Sequence, residues 1–384
     1  MVKNSLRILT LTKYYLPGYK GGGPIKTIKN LVDQLGDDMS FRLITSDRDL
    51  GDGDPYSSIR CGEWNQVGSA SVFYAEPGVR FYWQVAKIIW KNDYDLIYLN
   101  SFFSPRFSFF PLIIARILKQ RVILGPRGEF SEGALSLKSF KKGAFIRLAK
   151  MLGIYRGVVF QASSEFEAED IRKTLGPVSH IRIAENISGQ EFASSFPSRS
   201  TGPLKAVFVS RISPKKNLLT ALEMLKNVQQ PLLYHIYGPV EDVEYWGQCE
   251  RLIKVLPNHI KVEYMGTLSP DEVITTLASY DVFFFPTKGE NYGHVIAEAL
   301  CSALPVLIAD TTPWRNLWQR GIGWELPLYD SDAFGAVLDE LSLMSPDEYH
   351  EMRERVLCWA KKKFAQQNTI KSNISLFRYA SEKK

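Results

Sequence analysis

The sequence predicts an α/β protein made of two doubly wound parallel sheets, and three observations carry this prediction. Apolar runs of strand length alternate with amphipathic helical patterns along nearly the whole chain, which is typical of parallel sheets with helices on both faces. The length of 384 residues and the 45% of hydrophobic residues suffice for two cores. A polar stretch with serine and proline, residues 188–203, interrupts the alternation. We therefore expect an N-terminal domain over 1–195, a C-terminal domain over 200–365, and a helical tail over about 366–384 that could cross back to the first domain.

Eleven short apolar segments are predicted as strands. In the first half they are LRILTLT, FRLITS, DLIYLN, RVILGP, GVVFQAS and IRIAEN, and in the second half KAVFVS, LLYHIYG, IKVEYMG, DVFFFP and PVLIAD. Between most of them lie amphipathic helices, such as PIKTIKNLVDQL with Pro24 at its first position.

Charge and cysteine usage narrow the class of protein. The net charge of +6 is a mild basic excess, and no basic run interleaves with aromatic residues as in nucleic-acid binding modules. The densest basic stretch, 138–150 (KSFKKGAFIRLAK), is either a solvated helix face or a contact with an anionic membrane or acceptor. The four cysteines are scattered, which indicates a reducing compartment and argues against a zinc site.

The sequence predicts neither a signal peptide nor a segment that spans a membrane. The N-terminus leads directly into a strand, so no signal peptide is expected. The most apolar window, 109–119, is too short to cross a bilayer. We expect a cytoplasmic protein that is soluble or peripheral at the inner face of the cell membrane.

A glycine cluster follows the first predicted strand and opens the first helix. Gly21, Gly22 and Gly23 would let backbone N–H groups approach an anion at a helix N-terminus. The spacing is not that of the dinucleotide-binding motif, and a flexible turn is the alternative.

Two cations follow the first strand of the second domain. Arg211 and Lys216 leave a short loop, VSRISPKKNL, and could both point into a cleft between the domains. A fork-shaped and a point-like cation together suit a diphosphate, whereas two unrelated surface charges are the alternative.

Two glutamates, Glu290 and Glu298, lie eight positions apart across the start of a helix. Glu290 is expected in the loop at the carboxyl end of a buried strand, where open α/β sheets bind ligands. Ile296, Leu300 and Ala303 are predicted to form the buried stripe of the helix, and Glu298 lies about 200° around the axis from Ile296, away from the core. Glu298 could accept two hydrogen bonds from a ribose diol.

Together these features resemble the retaining glycosyltransferases of family 4, which have the GT-B fold of two Rossmann-like domains facing a cleft. The matching motifs are the R-x4-K loop, the E-x7-E motif written ENYGHVIAE, and LPVLIAD after it. The resemblance covers essentially the whole chain. The segments TTPWRNLWQRGIGWELPL and GPRGEFSEGAL are similar to those of members that build bacterial surface polysaccharides.

The resemblance implies a UDP- or GDP-linked sugar as donor, bound mainly by the second domain, and a glycan or lipid-linked glycan as acceptor. It implies that the reaction needs no cofactor. It also implies that cationic side chains, rather than a metal ion, stabilise the negative charge of the leaving group. The implied catalytic residues are Glu290, Lys216 and Arg211. The implied donor-binding residues are Gly22, Gly23, Arg211, Lys216, Gly238, Leu268, Glu290, Asn291, Tyr292, Gly293, His294, Val295 and Glu298.

This chain departs from the family pattern in two places. Many members have glycine before the proline of the last motif, where this chain has Ala303 and Leu304. Several members place a histidine or aspartate against the sugar after a strand of the first domain. Here that neighbourhood offers GPRGEF, so Arg127 or Glu129 is expected to contact the sugar or the acceptor.

Other classes of protein fit the residues less well. A metal-dependent transferase would need a D-x-D site, but Asp52-Gly53-Asp54 lies in a turn and Asp93-Tyr94-Asp95 precedes a strand. A glycosidase could use paired carboxylates but has no need of the arginine and lysine loop. A nucleotide-sugar epimerase on the same double fold is the main alternative, and a protein that binds without turnover is another.

Overall fold

The computed structural model of the chain describes residues 5–136, 139–176, 180–189, 191–199, 202–365 and 367–382. Lys138 of the predicted basic stretch lies outside these residues, as do positions 190, 200 and 201 of the predicted linker and positions 366, 383 and 384 of the tail. The strands are β1 (Leu6–Leu11), β2 (Met39–Ser46), β3 (Trp64–Val67), β4 (Ala70–Ala75), β5 (Leu96–Leu99), β6 (Val122–Leu124), β7 (Val159–Ala162), β8 (Ile181–Ile183), β9 (Leu204–Val209), β10 (Leu232–Tyr237), β11 (Ile260–Tyr264), β12 (Val282–Phe285), β13 (Val306–Ala309) and β14 (Gly323–Leu326).

Helices connect most of these strands. They are α1 (Gly23–Leu35), α2 (Val79–Lys91), α3 (Phe110–Ile117), α4 (Glu132–Ser136), α5 (Ser139–Met151), α6 (Glu165–Leu175), α7 (Leu218–Met224), α8 (Val243–Ile253), α9 (Val273–Ala278), α10 (His294–Cys301), α11 (Ser331–Leu343), α12 (Pro346–Lys363) and α13 (Gln367–Glu382). A π-helical turn at Pro105–Phe109 leads into α3. Among the described residues, no helix is both long and apolar enough to cross a membrane.

The chain divides into two compact units, Met1–Ser188 with Gln366–Lys384, and Gly189–Ala365. The sheet of the first unit has the strand order β3-β4-β2-β1-β5-β6-β7-β8, and the sheet of the second has β11-β10-β9-β12-β13-β14. In each unit the first strand lies inside the sheet. The next strands extend the sheet to one edge, and the later strands extend it from the first strand to the other edge. Every strand pairing is parallel except β3 with β4. The predicted α/β class with doubly wound sheets is therefore confirmed.

Helices cover both faces of the first sheet. On one face α1 and α13 share a core, in which the ring of Phe377 lies 6.1 Å from Phe41 and 5.3 Å from Tyr98. On the other face α2, α3 and α6 contribute buried residues, and α5 packs partly buried residues against them. The second unit has a single continuous cluster of buried residues around its sheet.

Each of the eleven predicted segments contains a strand, but β3, β4 and β14 were not predicted. The strand β3 is a short polar edge strand, half-buried or exposed along its length, so neither alternation nor an apolar run marks it. The predicted helix start at Pro24 was one residue late, because α1 begins at Gly23 after Gly22 as N-cap.

Candidate active site

The central crossover of the second sheet brings two of the predicted site residues together. The loops after β9 and β12 leave neighbouring strands at their carboxyl ends, and this switch of direction is where open α/β sheets bind ligands. Lys216 lies in the first loop and Glu290 in the second. Their Nζ and Oε1 atoms are 2.5 Å apart, and the side chains are only 14% and 11% exposed. The switch point therefore holds a nearly buried ion pair.

Buried polar residues beside the pair join these two loops. Asn217 is 3% exposed with φ of 63°, and its Nδ2 donates to the carbonyl of Pro286 at 2.8 Å. Thr287 is fully buried, and its Oγ1 donates to the carbonyl of Lys215 at 3.2 Å. The N–H of Lys288 donates to the same carbonyl at 3.1 Å. These bonds leave Lys216 little freedom to move away from Glu290.

Asn217 and Thr287 were missed by sequence reasoning. Both are polar residues next to the ends of apolar strands, in SPKKNL and FFPTKG, and this position was the signal that could have identified them.

The start of α10 forms the next part of the site. Gly293 is its N-cap with φ of 78°, a conformation that favours glycine, and a Cβ there would lie 2.9 Å from Ile296 Cδ1. The carbonyl of Tyr292 accepts a hydrogen bond from Trp314 Nε1 at 2.5 Å, which ties the helix start to the segment TTPWRN. The rings of Tyr292 and His294 lie 4.9 Å apart.

The predicted orientation of α10 agrees with the structure. Ile296 and Leu300 are fully buried, whereas Glu298 is half-buried on another side of the helix. Asn291 and Val295 are half-buried at the helix start. Glu290 precedes the helix and Glu298 lies on its flank, so the two carboxylates occupy different places.

Three other predicted donor-binding residues, Arg211, Gly238 and Leu268, lie in the loops after β9, β10 and β11. Arg211 Nη1 is 2.9 Å from Glu241 Oε1, and both side chains are about one-third exposed, at 32% and 40%. Within the described part of the chain, no hydrogen bond or ion pair joins Arg211 to Lys216 or Glu290. Leu268 is half-buried against the core after β11.

Gly238 has a structural reason to be glycine. Its φ is 136°, and a Cβ would lie 1.9 Å from the carbonyl oxygen of Ser210. The loops after β9 and β10 therefore approach each other more closely than any side chain allows. A donor-binding role for Gly238 stays a prediction.

The glycine loop of the first unit lies at the carboxyl end of β1. Gly22 has φ of 68° and open space where a Cβ would be, and Gly23 begins α1. The loop is tied down by Asp49, whose Oδ2 accepts the N–H groups of Tyr19 and Lys20 at 2.8 and 3.0 Å. A cavity of about 600 Å³ lies beside this loop. Its lining includes Tyr19, Lys20, Asp49, Asp52 and Tyr56.

Arg127 joins the carboxyl ends of the strands in the other half of this sheet. It follows β6 with φ of 57°, a left-handed conformation that is unusual for arginine. Its guanidinium donates to Asn100 and Asn186 at 2.7 Å, to the Tyr98 hydroxyl, and to Gln161 at 3.4 Å. All of these partners are neutral, and no carboxylate among the described residues forms an ion pair with Arg127.

Glu129 is turned inward. Its carboxylate accepts the Ser101 hydroxyl at 2.7 Å and the N–H groups of Phe102 and Phe103. Burial raises the pKa of this carboxyl above its ordinary value, although these hydrogen bonds oppose the shift. The contacts show Glu129 as a cap of the loop after β5, and a contact with sugar stays a prediction.

The two D-x-D sequences carry ion pairs instead. Asp93 pairs with Arg7 and Arg42, Asp95 with Arg7, and Asp52 with Lys20.

Solved structures that are similar over nearly the whole chain identify the fold. HepE of Anabaena, in complex with UDP and glucose, superposes with a TM-score of 0.71 at 15% identity over 98% of this chain and 100% of that chain. Sucrose-phosphate synthase from Thermosynechococcus elongatus gives a TM-score of 0.74 at 14% identity over 97% and 98%. The fold is the GT-B fold of glycosyltransferases, as predicted.

The sequence of the second unit carries the more specific similarity. Residues 190–357 match the family model described as glycosyl transferases group 1. The sulfoquinovosyl transferase SQD2 of Arabidopsis thaliana is 35% identical over 103 residues, which are 27% of this chain and 19% of that protein. The match thus spans about a fifth of the relative's length. The second unit is therefore similar in sequence to glycosyl transferases of group 1.

Proposed function

We propose that this protein is a retaining glycosyltransferase of family 4 that moves a sugar from a nucleotide diphosphate to a glycan or lipid-linked glycan, without a metal. The observation that carries the proposal is the Lys216–Glu290 ion pair at the switch point of the second sheet. A lysine held there can bind the phosphate of a donor, and a carboxylate beside it can orient the hydroxyls of the transferred sugar.

The roles of the other residues follow from their places. Arg211 can leave its exposed partner Glu241 and bind the diphosphate with a fork-shaped guanidinium. Glu298, on the flank of α10, would accept the ribose hydroxyls. The backbone around Asn291, Tyr292 and Gly293 would face the sugar and phosphate.

The proposed reaction forms one bond at the anomeric carbon and breaks one. The acceptor oxygen bonds to this carbon as the bond to the leaving phosphate oxygen breaks. The nucleotide diphosphate leaves with the electron pair, and its phosphate takes the acceptor proton on the same face of the sugar. Lys216 and Arg211 stabilise the growing negative charge.

The relatives favour a UDP-linked donor over a GDP-linked one. HepE is similar over its whole length and was crystallised with UDP and glucose and with UDP-glucose.

We assign the acceptor to the first unit, where Arg127 and Glu129 lie at the carboxyl edge of the sheet. We place the protein in the cytoplasm, peripheral at the inner face of the membrane.

An assay of sugar nucleotides with and without acceptor tests the function. We expect nucleotide diphosphate to be released only when a glycan acceptor is present, and the Lys216→Ala variant to lose this activity. The control is Lys261→Ala, an exposed lysine on the edge strand β11 of the same unit. An isomeric sugar nucleotide formed without acceptor would instead identify an epimerase, which no comparison supports. Binding without turnover of any donor and acceptor pair would also contradict the proposal.

A thermal-shift screen of UDP, GDP and their sugars identifies the donor for this assay. A ligand at 100 times its dissociation constant adds about 2.7 kcal/mol to the free energy of unfolding. We expect the larger shift from UDP.

A further inference from the structure

The helix α2 exposes an apolar side to solvent as well as burying one. Phe81, Val85 and Ile89 are buried in the core of the first unit. On the outside, Val79, Trp83 and Trp90 are 73%, 76% and 71% exposed. Their spacing of four and seven residues places them on one side of the helix. A helix on the surface of a soluble protein usually has a polar outer side, so this side is unusual.

The helices α3 and α5 continue this surface. The rings of Tyr82 on α2 and Phe110 on α3 lie 4.9 Å apart, and those of Phe109 and Phe145 on α5 lie 5.4 Å apart. On α3, Ile117 is 71% exposed. At the end of α5, Leu148, Met151 and Leu152 are all more than half exposed. We call the outer side of α2, α3 and α5 the apolar face.

The apolar face is also cationic. The sequence has no aspartate or glutamate in 77–92, 96–128 or 133–164, which include the whole of α2, α3 and α5. Asp93, Asp95, Glu129 and Glu132 lie between these ranges. Eight exposed cations lie on these helices or directly after them. Arg80 pairs with Glu76, and Lys141 lies near the start of α5. The other six are Lys87, Lys91, Arg116, Lys119, Arg147 and Lys150. None of the six pairs with a carboxylate in the described part of the chain, and Arg116 donates to the carbonyls of Ile154 and Arg156.

From this geometry we infer that the apolar face docks on an anionic lipid bilayer. Tryptophan rings favour the depth of the lipid headgroups, and lysine and arginine beside them bind lipid phosphates. A second copy of the chain is a poor occupant, because a two-fold interface would set these six cations against the same six. Large exposed apolar patches are rare on monomeric proteins without a partner surface.

The inference deepens the proposed peripheral attachment and does not depend on sugar transfer. The sequence directed attention to 138–150 alone, whereas the structure makes the tryptophans of α2 the largest exposed groups of the face. Bilayer binding would hold a lipid-linked acceptor close to the first unit, to which we assign the acceptor.

Co-sedimentation of the full chain with vesicles tests the inference. We compare vesicles of equimolar phosphatidylcholine and phosphatidylglycerol with vesicles of phosphatidylcholine alone. Wild type should sediment with the anionic vesicles and be released by salt, since charges more than about 10 Å apart are largely screened at 0.1 M. Trp83→Ala/Trp90→Ala should lower the partition coefficient by about tenfold or more, because two large apolar groups no longer enter the lipid. Lys87→Glu/Lys91→Glu should abolish the preference for anionic lipid.

The control is Trp318→Ala, which removes a 57% exposed tryptophan of the second unit and should bind like wild type. Calorimetry with UDP shows that each variant is folded, since none of these residues belongs to the donor site. Vesicle binding that is equal for wild type and the α2 variants would overturn the inference. So would a dimer in solution that the α2 variants dissociate, because a second copy would then cover the face. A protein that binds vesicles but not UDP would leave this inference standing and contradict the proposed function.

Discussion

The ammonium group of Lys216 and the carboxylate of Glu290 lie 2.5 Å apart, although 74 positions separate the two residues in the chain. Their strands, β9 and β12, are neighbours only because the sheet changes direction there. A donor phosphate would enter a site in which the cation is already placed and neutralised. Under the proposed function, the pair would stabilise the site before the donor binds and give Lys216 a counter-ion to exchange for phosphate.

Removing one partner of this pair should destabilise the protein more than removing both. Lys216→Met or Glu290→Gln leaves a nearly buried charge alone, at a cost of about 1–3 kcal/mol, below the value for fully buried pairs. The double variant, which leaves no unpaired charge, should cost less than either single variant. Urea unfolding of the four proteins measures the coupling. The more exposed pair Arg211–Glu241 is the control, for which we expect a coupling below about 1 kcal/mol. Additive effects at Lys216 and Glu290 would show that the pair is not coupled.

The two glutamates should have separable functions. Glu298→Gln keeps the shape but removes the charge that strengthens bonds to the ribose diol. Charge-assisted bonds are worth about 1.5–3 kcal/mol, so the affinity for UDP should fall about ten- to a hundredfold. Glu290→Gln should leave UDP affinity nearly intact and slow sugar transfer. Calorimetry and single-turnover rates measure both. An equal loss of UDP affinity in the two variants, with no extra loss of rate, would refute the division.

Turnover should survive a chelator. The charge of the leaving diphosphate is assigned to Arg211, Lys216 and the start of α10, and each of these is part of the chain. We expect the initial rate to be unchanged in EDTA. A complete loss of activity that manganese or magnesium restores would contradict the metal-free account.

Glycine at position 303 should stabilise the protein. Ala303 has φ of 56° directly after α10, where its N–H donates to Leu300 and that of Leu304 to Ala299. This is the helix end that usually has glycine, and the left-handed conformation costs other residues about 1–2 kcal/mol. Ala303→Gly should therefore raise the free energy of unfolding by up to about 1 kcal/mol, after the greater entropy of the unfolded chain is subtracted.

The matched control for this change is Ala299→Gly within α10, which should lower stability by about 1 kcal/mol or more. Thermal unfolding compares the three proteins. A loss of stability in both glycine variants would show that the conformation of Ala303 carries no strain.

Arg127 should stabilise the first unit without affecting the donor site. Arg127→Met leaves the oxygens of Asn100, Asn186 and Gln161 without this donor, so we expect a loss of about 2–4 kcal/mol. Arg127→Lys should recover only part of it, because an ammonium group cannot reach so many acceptors at once. Chemical unfolding measures the loss, calorimetry should show unchanged UDP affinity, and Arg106→Met is the exposed control. A stable Arg127→Met variant would assign this arginine to ligand binding alone.

The sequence by itself determined the fold class, the eleven predicted strands and the two loops that carry the candidate site. These features are local, because an apolar run, a helix period and a motif such as ENYGHVIAE are carried by consecutive residues. The strands β3, β4 and β14 were missed. The edge strand β3 is polar and pairs only with β4, so its conformation depends on a partner rather than on a pattern.

Tertiary structure alone decided which residues meet. Lys216 lies against Glu290, and Asn217 and Thr287 join their loops, because two strands distant in the chain are adjacent in the sheet. The four partners of Arg127 come from the ends of three strands, β5, β7 and β8, for the same reason. Periodicity likewise shows that α2 has two sides but not which of them another element covers. Trp83 and Trp90 stay exposed because packing, which is non-local, covers only the opposite side of that helix.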